Sequence, residues 1–193
     1  MSHFLASHGI AGVRINYSLL PQGGTMARAW SDIQDALTFV KENASAFKLD
    51  SDRFGFGGQS AGAHLAAYAA MRTPGTKLLF AMNGAYDLNK VRAGFEPNEH
   101  HFQFLGKTPE ARYEASPVNF VHPGAPYSVF VYGSGDFYVD SQQHELMIKE
   151  LDKHHIPHEV IFKKYYAHSS FMQTTDVYEA MLMKLLLLAK SKL

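Results

Sequence analysis

Short runs of β-branched and aromatic residues alternate with helix-like segments along this chain. The predicted strands are GVRINY (12–17), RFGFGG (53–58), LLFAMNG (78–84), YSVFVYG (127–133) and HEVIFKKY (158–165). Helices are expected over 27–43, from Ser60 onward, over 141–154 and at the C-terminal end. Strands that alternate with helices imply βαβ crossovers. We therefore predict one α/β domain over residues 1–193, with a doubly wound, mostly parallel sheet between two helical layers.

Composition narrows the classes of partner. Lys and Arg (18 together) balance Asp and Glu (18), so no excess positive charge favours nucleic acid. Because the chain has no cysteine, disulfides and thiolate chemistry are excluded. The longest apolar run, MLMKLLLLA, is too short to span a bilayer, and the start does not resemble a secretory leader. A cytoplasmic location is expected, with a peroxisomal alternative from the final Ser191-Lys192-Leu193.

One segment, residues 91–117, departs from the alternation. It mixes aromatic residues, including Phe102 and Phe104, with Gly, Pro and charged residues. A loop this long in a compact domain is usually functional, so we expect a lid or a pocket wall here. The alternative is a surface loop whose aromatic side chains pack against the protein beneath it.

The pentapeptide Gly58-Gln59-Ser60-Ala61-Gly62 follows a predicted strand and opens a predicted helix. Gly-x-Ser-x-Gly is typical of a nucleophilic serine on a sharp turn, where glycines allow strand and helix to approach closely. The backbone N–H of Ala61 would then face a developing oxyanion. The pentapeptide alone is a weak signal, and its strand–turn–helix context strengthens it.

A nucleophilic serine needs a base, and the base needs a carboxylate to orient it. Asp136 and His168 each follow a predicted strand, where loops meet at the carboxyl edge of a parallel sheet. Asp140 could replace Asp136, or Asp136 could only cap the next helix. His64 is expected to be a packed, hydrogen-bonded residue rather than a second base.

A metal site is not expected. His154 and His158 have the i, i+4 spacing of metal ligands, but Pro157 would break the helix that such spacing requires. No organic cofactor is expected either.

The chain resembles the esterase/lipase branch of the α/β-hydrolase superfamily, which includes hormone-sensitive-lipase-like enzymes, feruloyl-esterase-like enzymes and kynurenine formamidases. The resemblance covers nearly the whole chain. The matching segments are INYSLLP, SDIQDALTFVKENASAFKLDSDRFGFGGQSAGAHLAA, ASPVNF, GSGDFYV and AHSSF. It implies Ser60 as nucleophile, Asp136 as orienting acid and His168 as base.

The front of the sequence departs from that branch. The His-Gly-Gly loop, which completes the branch's oxyanion hole, and its first three strands have no counterpart before GVRINY. In the sheet of that branch, the third strand lies between the strands that match GVRINY and RFGFGG. Without it, N–H and C=O groups along the facing edges of those two strands would be unpaired. Either those strands close up, another chain fills the slot, as in a homo-oligomer, or the sequence is shortened. Loss of an oxyanion donor typically lowers turnover by ~10²–10³-fold.

The expected function is a serine hydrolase that cleaves small carboxylic esters or aryl amides through an acyl-enzyme. Residues expected at the substrate are Gln59, Phe102, Phe104, Phe137 and Tyr138. A non-catalytic remnant that lacks the oxyanion loop is the alternative. An oligopeptidase-like catalytic domain ranks third, because Ala61-Gly62-Ala63 fits the esterase branch better.

Overall fold

The computed structural model describes residues 2–90 and 103–193. Within these ranges the sheet has four parallel strands in the order β1-β2-β3-β4. They are β1 (Gly55–Gln59), β2 (Leu78–Met82), β3 (Tyr127–Gly133) and β4 (His158–Lys163). The predicted α/β class and parallel sheet are confirmed, and four of the five predicted strands form.

Eight α-helices have defined bounds in residues 2–90 and 103–193, and residues 103–105 are helical as well. They are α1 (Ser2–Ala6), α2 (Met26–Glu42), α3 (Ala44–Phe47), α4 (Ala61–Arg72), α5 (Pro109–Glu114), α6 (Gln142–Lys153), α7 (Ser170–Gln173) and α8 (Thr175–Lys192). The predicted helices correspond to α2, α4, α6 and α8. Helix α5 lies in a stretch that the sequence predicted as irregular. Residues 91–102, the first part of the predicted lid, lie outside the described ranges.

Helices cover both faces of the sheet. Successive strand residues point to opposite faces, so Leu79 and Phe130 pack with α4 and α6 on one side. Phe80 and Val129 pack with α7 and α8 on the other. Helix α2 packs outside α4. Strands β2 and β3 are almost completely buried as a result, which suits their continuous apolar sequences.

Helix α8 carries the apolar run near the C-terminal end. Its buried face packs on β2 and β3 through residues such as Leu185 and Leu188. No helix within the described ranges has both the length and the apolarity that crossing a membrane would require. The cytoplasmic or peroxisomal location stays a prediction.

The first predicted strand, GVRINY (12–17), is wrong. These residues form no ladder with the sheet, and β1 is the edge strand in the described ranges. A strand is held by hydrogen bonds to a neighbour, and among the described residues no strand lies beside this segment. The sequence left three possibilities for the missing strand, and one of them was that GVRINY pairs directly with RFGFGG. That pairing does not occur.

An open groove lies between this segment and α2. Its volume is about 510 Å³, and residues such as Val13, Ile15, Phe39 and Phe47 line it. Each of these four residues is at least 39% exposed, so apolar surface remains uncovered along this groove. Self-association at the β1 edge stays a prediction.

Strand β1 approaches α4 very closely where the chain passes from one to the other. A Cβ atom on Gly58 would lie 2.3 Å from the backbone C and O of Gly62. Only glycine fits at residue 58 without a backbone shift. A Cβ atom on Gly62 would meet nothing within 4 Å. The expected steric need for glycine is therefore confirmed at Gly58 and wrong at Gly62.

Gly58→Ala should destabilise the protein because the new methyl group collides with backbone rather than with a movable side chain. We expect a loss of about 1–3 kcal/mol in the free energy of unfolding, the range typical of overpacking. The matched variant Gly62→Ala should be neutral or slightly stabilising, because alanine favours the first turn of α4. Urea denaturation of both variants measures the difference, and equal stability would contradict the close approach.

Candidate active site

Ser60 occupies a strained backbone position between β1 and α4. Its φ is 55° and its ψ is −122°, a combination that costs a non-glycine residue about 1–3 kcal/mol. Hydrogen bonds hold it there: its N–H donates to the carbonyl of Met82 (2.8 Å), and its carbonyl accepts from Ala63 (2.9 Å) and His64 (3.1 Å). The serine is thus held, partly exposed, at the carboxyl end of β1.

Ala61 is the first residue of α4 and is exposed. The N–H groups of a helix's first turn have no intrahelical acceptor, and the helix dipole favours negative charge there. The N–H of Ala61 therefore has the electrostatic setting that an oxyanion donor needs.

The structure brings Asp136 and His168 into direct contact. His168 Nδ1 lies 2.7 Å from Asp136 Oδ2, although the two residues are 32 positions apart in the chain. A carboxylate can only accept here, so Nδ1 carries the proton and Nε2 is the basic nitrogen. The side chain of Asp136 is 1% exposed and that of His168 is 14% exposed.

Asp136 stays charged despite its burial. Its Oδ1 accepts from the backbone N–H groups of Tyr138 (2.8 Å) and Val139 (2.9 Å), and its Oδ2 accepts from Asn83 as well as His168. Burial acts to raise the pKa of Asp136. The hydrogen bonds that it accepts, the one from His168 first, outweigh burial and hold this pKa below its ordinary value.

Two alternatives from the sequence can be compared with this geometry. Asp140 does not pair with His168; its Oδ1 accepts from the N–H of Gln142 (3.0 Å) at the start of α6. His64 is buried, its Nδ1 lies 2.8 Å from the carbonyl of Ala85, and burial lowers its pKa. His64 is the packed, hydrogen-bonded residue that the sequence predicted.

Ser60 and His168 come from neighbouring loops at this edge of the sheet. Gln59, the residue before Ser60, donates from Nε2 to the carbonyl of His168 (3.2 Å). In the described part of the chain, the Ser60 hydroxyl makes no hydrogen bond to the imidazole. The contact between Asp136 and His168 is therefore formed, and a contact between the Ser60 hydroxyl and His168 is not made in this structure.

One of the predicted substrate residues, Tyr138, lies beside His168, and Phe137 precedes it in the chain. Phe137 is 82% exposed and Tyr138 is 79% exposed, and the Tyr138 ring centroid is 5.3 Å from that of His168. Phe104 packs against the cluster between α2 and α4, and Phe102 lies outside the described residues. Substrate contact by any of these residues, and by Gln59, stays a prediction.

Asn83 was missed in the sequence. Its Nδ2 donates to Asp136 Oδ2 at 2.7 Å, and the residue is 1% exposed. The signal was available, because Asn83 follows β2 just as Asp136 and His168 come after β3 and β4. The predicted strand LLFAMNG includes Asn83 and assigns it no separate role.

In residues 2–90 and 103–193 no three His, Asp or Glu side chains are placed to hold a metal ion. His154 ends α6 and lies 3.3 Å from Glu150, while His158 begins β4 and lies 3.8 Å from Asp152. Each of these two histidines thus contacts a different carboxylate of α6, and the histidines themselves lie at the end of α6 and in β4.

Comparison with known proteins agrees with the fold. The BD-FAE family model matches residues 1–151. The chain is 32% identical over 150 residues to esterase LipQ of Mycobacterium tuberculosis, covering 68% of this chain and 35% of LipQ. It is 25% identical over 195 residues to the probable isoprenylcysteine α-carbonyl methylesterase ICMEL2 of Arabidopsis thaliana, covering 88% of this chain and 46% of that protein. The chain thus spans less than half the length of these relatives.

Solved structures show the same fold. The acetyl ester-xyloside bifunctional hydrolase from Caldicellulosiruptor lactoaceticus aligns with a TM-score of 0.82 at 21% identity, covering 98% of this chain and 74% of the hydrolase. Carboxyl esterase 2 from Tuber melanosporum aligns with a TM-score of 0.81 at 19% identity, covering 99% and 71%. With the family match over residues 1–151, the conclusion is that this chain belongs to the BD-FAE family and has an α/β-hydrolase fold.

Proposed function

We propose that this chain hydrolyses small carboxylic esters with Ser60 as nucleophile, His168 as base and Asp136 as orienting acid. The observation that carries the proposal is the 2.7 Å contact between His168 Nδ1 and Asp136 Oδ2, at the edge of the sheet where Ser60 sits on its strained turn. A buried, ionised carboxylate behind a partly exposed imidazole is the arrangement that general-base catalysis requires.

The reaction divides into two halves. His168 Nε2 takes the proton of the Ser60 hydroxyl as its oxygen attacks the ester carbonyl carbon, and the oxyanion forms opposite the N–H of Ala61. The intermediate collapses when His168 returns the proton to the leaving alcohol, which leaves an acyl group on Ser60. Water, activated by the same imidazole, then attacks the acyl carbon and releases the acid.

Substrate binding has to complete the contact between Ser60 and His168. Catalytic hydrogen bonds are often long in unliganded proteins and shorten in the complex. The bond from Gln59 to the His168 carbonyl limits how far the histidine loop can move relative to the serine. Asp136 already orients the imidazole through its bond to Nδ1, which leaves Nε2 for the Ser60 hydroxyl.

The named relatives support ester chemistry. LipQ is called an esterase, and the Arabidopsis relative is called a probable methylesterase. Because this chain spans less than half the length of each, their activities support the proposal without transferring a substrate. An aryl amide is a second substrate class that the same acyl-enzyme chemistry would cleave.

The exposed aromatic residues next to His168 favour a substrate with a flat apolar group. Tyr138 offers a ring face 5.3 Å from the imidazole and is held by its backbone bond to Asp136. Aromatic contacts of this kind contribute about 0.5–1.5 kcal/mol beyond burial. We propose that Tyr138, with Phe137 beside it, binds the ring of an aryl ester.

Ser60→Ala should abolish ester hydrolysis, because no other hydroxyl occupies the turn between β1 and α4. We expect p-nitrophenyl acetate turnover to fall by at least ~10³-fold, as when a triad member is removed. A fluorophosphonate probe should add one label to the parent protein and none to the variant, measured by intact mass.

The matched control is Ser45→Ala, which removes an exposed hydroxyl from α3. It should keep both the turnover and the label. Equal hydrolysis by the parent protein and Ser60→Ala would remove Ser60 from the mechanism. A parent protein that neither turns over nor labels would favour the non-catalytic alternative.

Tyr138→Ala should weaken binding of aryl esters specifically. We expect KM for a phenyl-containing acyl ester to rise about 2–10-fold, the equivalent of the aromatic contact. KM for ethyl acetate, an ester without an aromatic ring, should change by less than about twofold. Tyr113→Ala on α5 is the control, because Tyr113 is 51% exposed and has no contact with His168. Parallel changes for both esters would argue against a ring contact.

A further inference from the structure

We infer that Asn83 is a positioning residue that holds the Asp136 carboxylate in the orientation and charge state that His168 needs. The inference rests on the proposed function, because it assigns a role within the same acid–base pair. Asn83 Nδ2 and His168 Nδ1 donate to the same oxygen, Asp136 Oδ2, each at 2.7 Å.

Together with the two backbone donors, Asn83 fills the acceptor capacity of the carboxylate. Oδ1 accepts from Tyr138 and Val139, so each oxygen has two donors. Four directional bonds fix both the plane and the rotation of the carboxylate. If the Asn83 donor is removed, Oδ2 is held by His168 alone and the group can rotate away from the imidazole.

The sheet fixes Asn83 itself. Its backbone N–H donates to the carbonyl of Val131 at 2.9 Å, which extends the register of β2 and β3 by one residue. Its φ is 51°, a conformation that asparagine tolerates better than most residues. The residue is 1% exposed, so the amide has no route to solvent.

The two ends of the amide are used differently. Nδ2 bonds the carboxylate, whereas Oδ1 has no hydrogen-bond partner within the described residues. An unpaired buried carbonyl is unfavourable. The hydrogen bond that the Asn83 side chain makes is therefore the one that Nδ2 donates to the Asp136 carboxylate.

Variants that keep the unusual backbone separate positioning from folding. Aspartate and glycine both tolerate a positive φ. Asn83→Asp preserves shape but replaces the donor with a second carboxylate, and like charges at this distance raise the pKa of the pair. Asn83→Gly removes the donor and adds no charge.

The test measures kcat and KM for p-nitrophenyl acetate between about pH 5 and pH 9, with kcat expressed per site titrated by fluorophosphonate. Asn83→Asp should lower kcat at least tenfold with KM within about twofold, and the acid limb of the kcat profile should move to higher pH. Asn83→Gly should lower kcat by a smaller factor without that pH shift. Per-site normalisation removes the contribution of unfolded protein.

Two titratable groups, His168 and His144, face Asp136 in the described structure. His144 on α6 is fully buried, and burial lowers its pKa to about 3, so it stays neutral throughout. A moved acid limb in Asn83→Asp therefore reports the carboxylate and its imidazole.

A second readout needs no turnover. In the unliganded protein, the proton NMR signal of the His168 Nδ1 hydrogen, assigned by its loss in His168→Gln, should shift in Asn83→Asp and Asn83→Gly. Asn119→Asp is the matched control, because Asn119 donates from its amide to the carbonyl of Tyr113 far from this pair. It should leave kcat, the pH profile and the NMR signal unchanged.

The outcomes are distinguishable. If the parent protein is active and both Asn83 variants keep its kcat, pH profile and Nδ1 signal, Asn83 has no positioning role and the proposed function stands. If the parent protein is inactive and unlabelled, the proposed function fails, and the NMR signal alone decides whether Asn83 orients the pair. If Asn83→Asp does not fold, an Asn83→Gly variant with parental kcat and an unshifted signal overturns the inference.

Discussion

All four described strands run in the same direction, and the candidate active site depends on that alignment. Parallel strands end at one edge of the sheet, so the residues after β1, β2, β3 and β4 meet there. Ser60, Asn83, Asp136 and His168 each follow a different strand. The register of the strands therefore brings together side chains that are distant in the sequence. His168 Nδ1 lies 2.7 Å from Asp136 Oδ2, although the two residues are 32 positions apart.

This edge concentrates features that are unfavourable elsewhere in a protein. Ser60 and Asn83 both have a positive φ, and the charged side chain of Asp136 is only 1% exposed. Each is stabilised by bonds from the neighbouring strand or loop, since Ser60 bonds to Met82 and Asn83 bonds to Val131. The apolar packing of β2 and β3 between two helical layers supplies the rigidity that such strain requires.

Strand β1 forms one edge of the sheet and has one neighbouring strand, β2, in the described residues. An apolar groove lies between residues 11–15 and α2. Ser60 follows β1, the strand at this edge, whereas Asn83, Asp136 and His168 follow β2, β3 and β4. The edge strand therefore carries the serine, and the contact between Asp136 and His168 forms on the strands away from that edge.

The sequence by itself determined the layer order and the elements that carry the site. Its alternation of apolar runs and helical segments predicted four of the strands, and Gly58-x-Ser60 located the turn, because the motif lies between a predicted strand and a predicted helix. Periodicity also predicted a strand over 12–17, which does not form, since a strand depends on a neighbour that local sequence cannot supply. Only the tertiary structure decided that Asp136, and not Asp140, faces His168, and that Asn83 bonds the same oxygen. These contacts depend on loop conformation and on distances of a few tenths of an ångström, which strand ends and spacing do not fix.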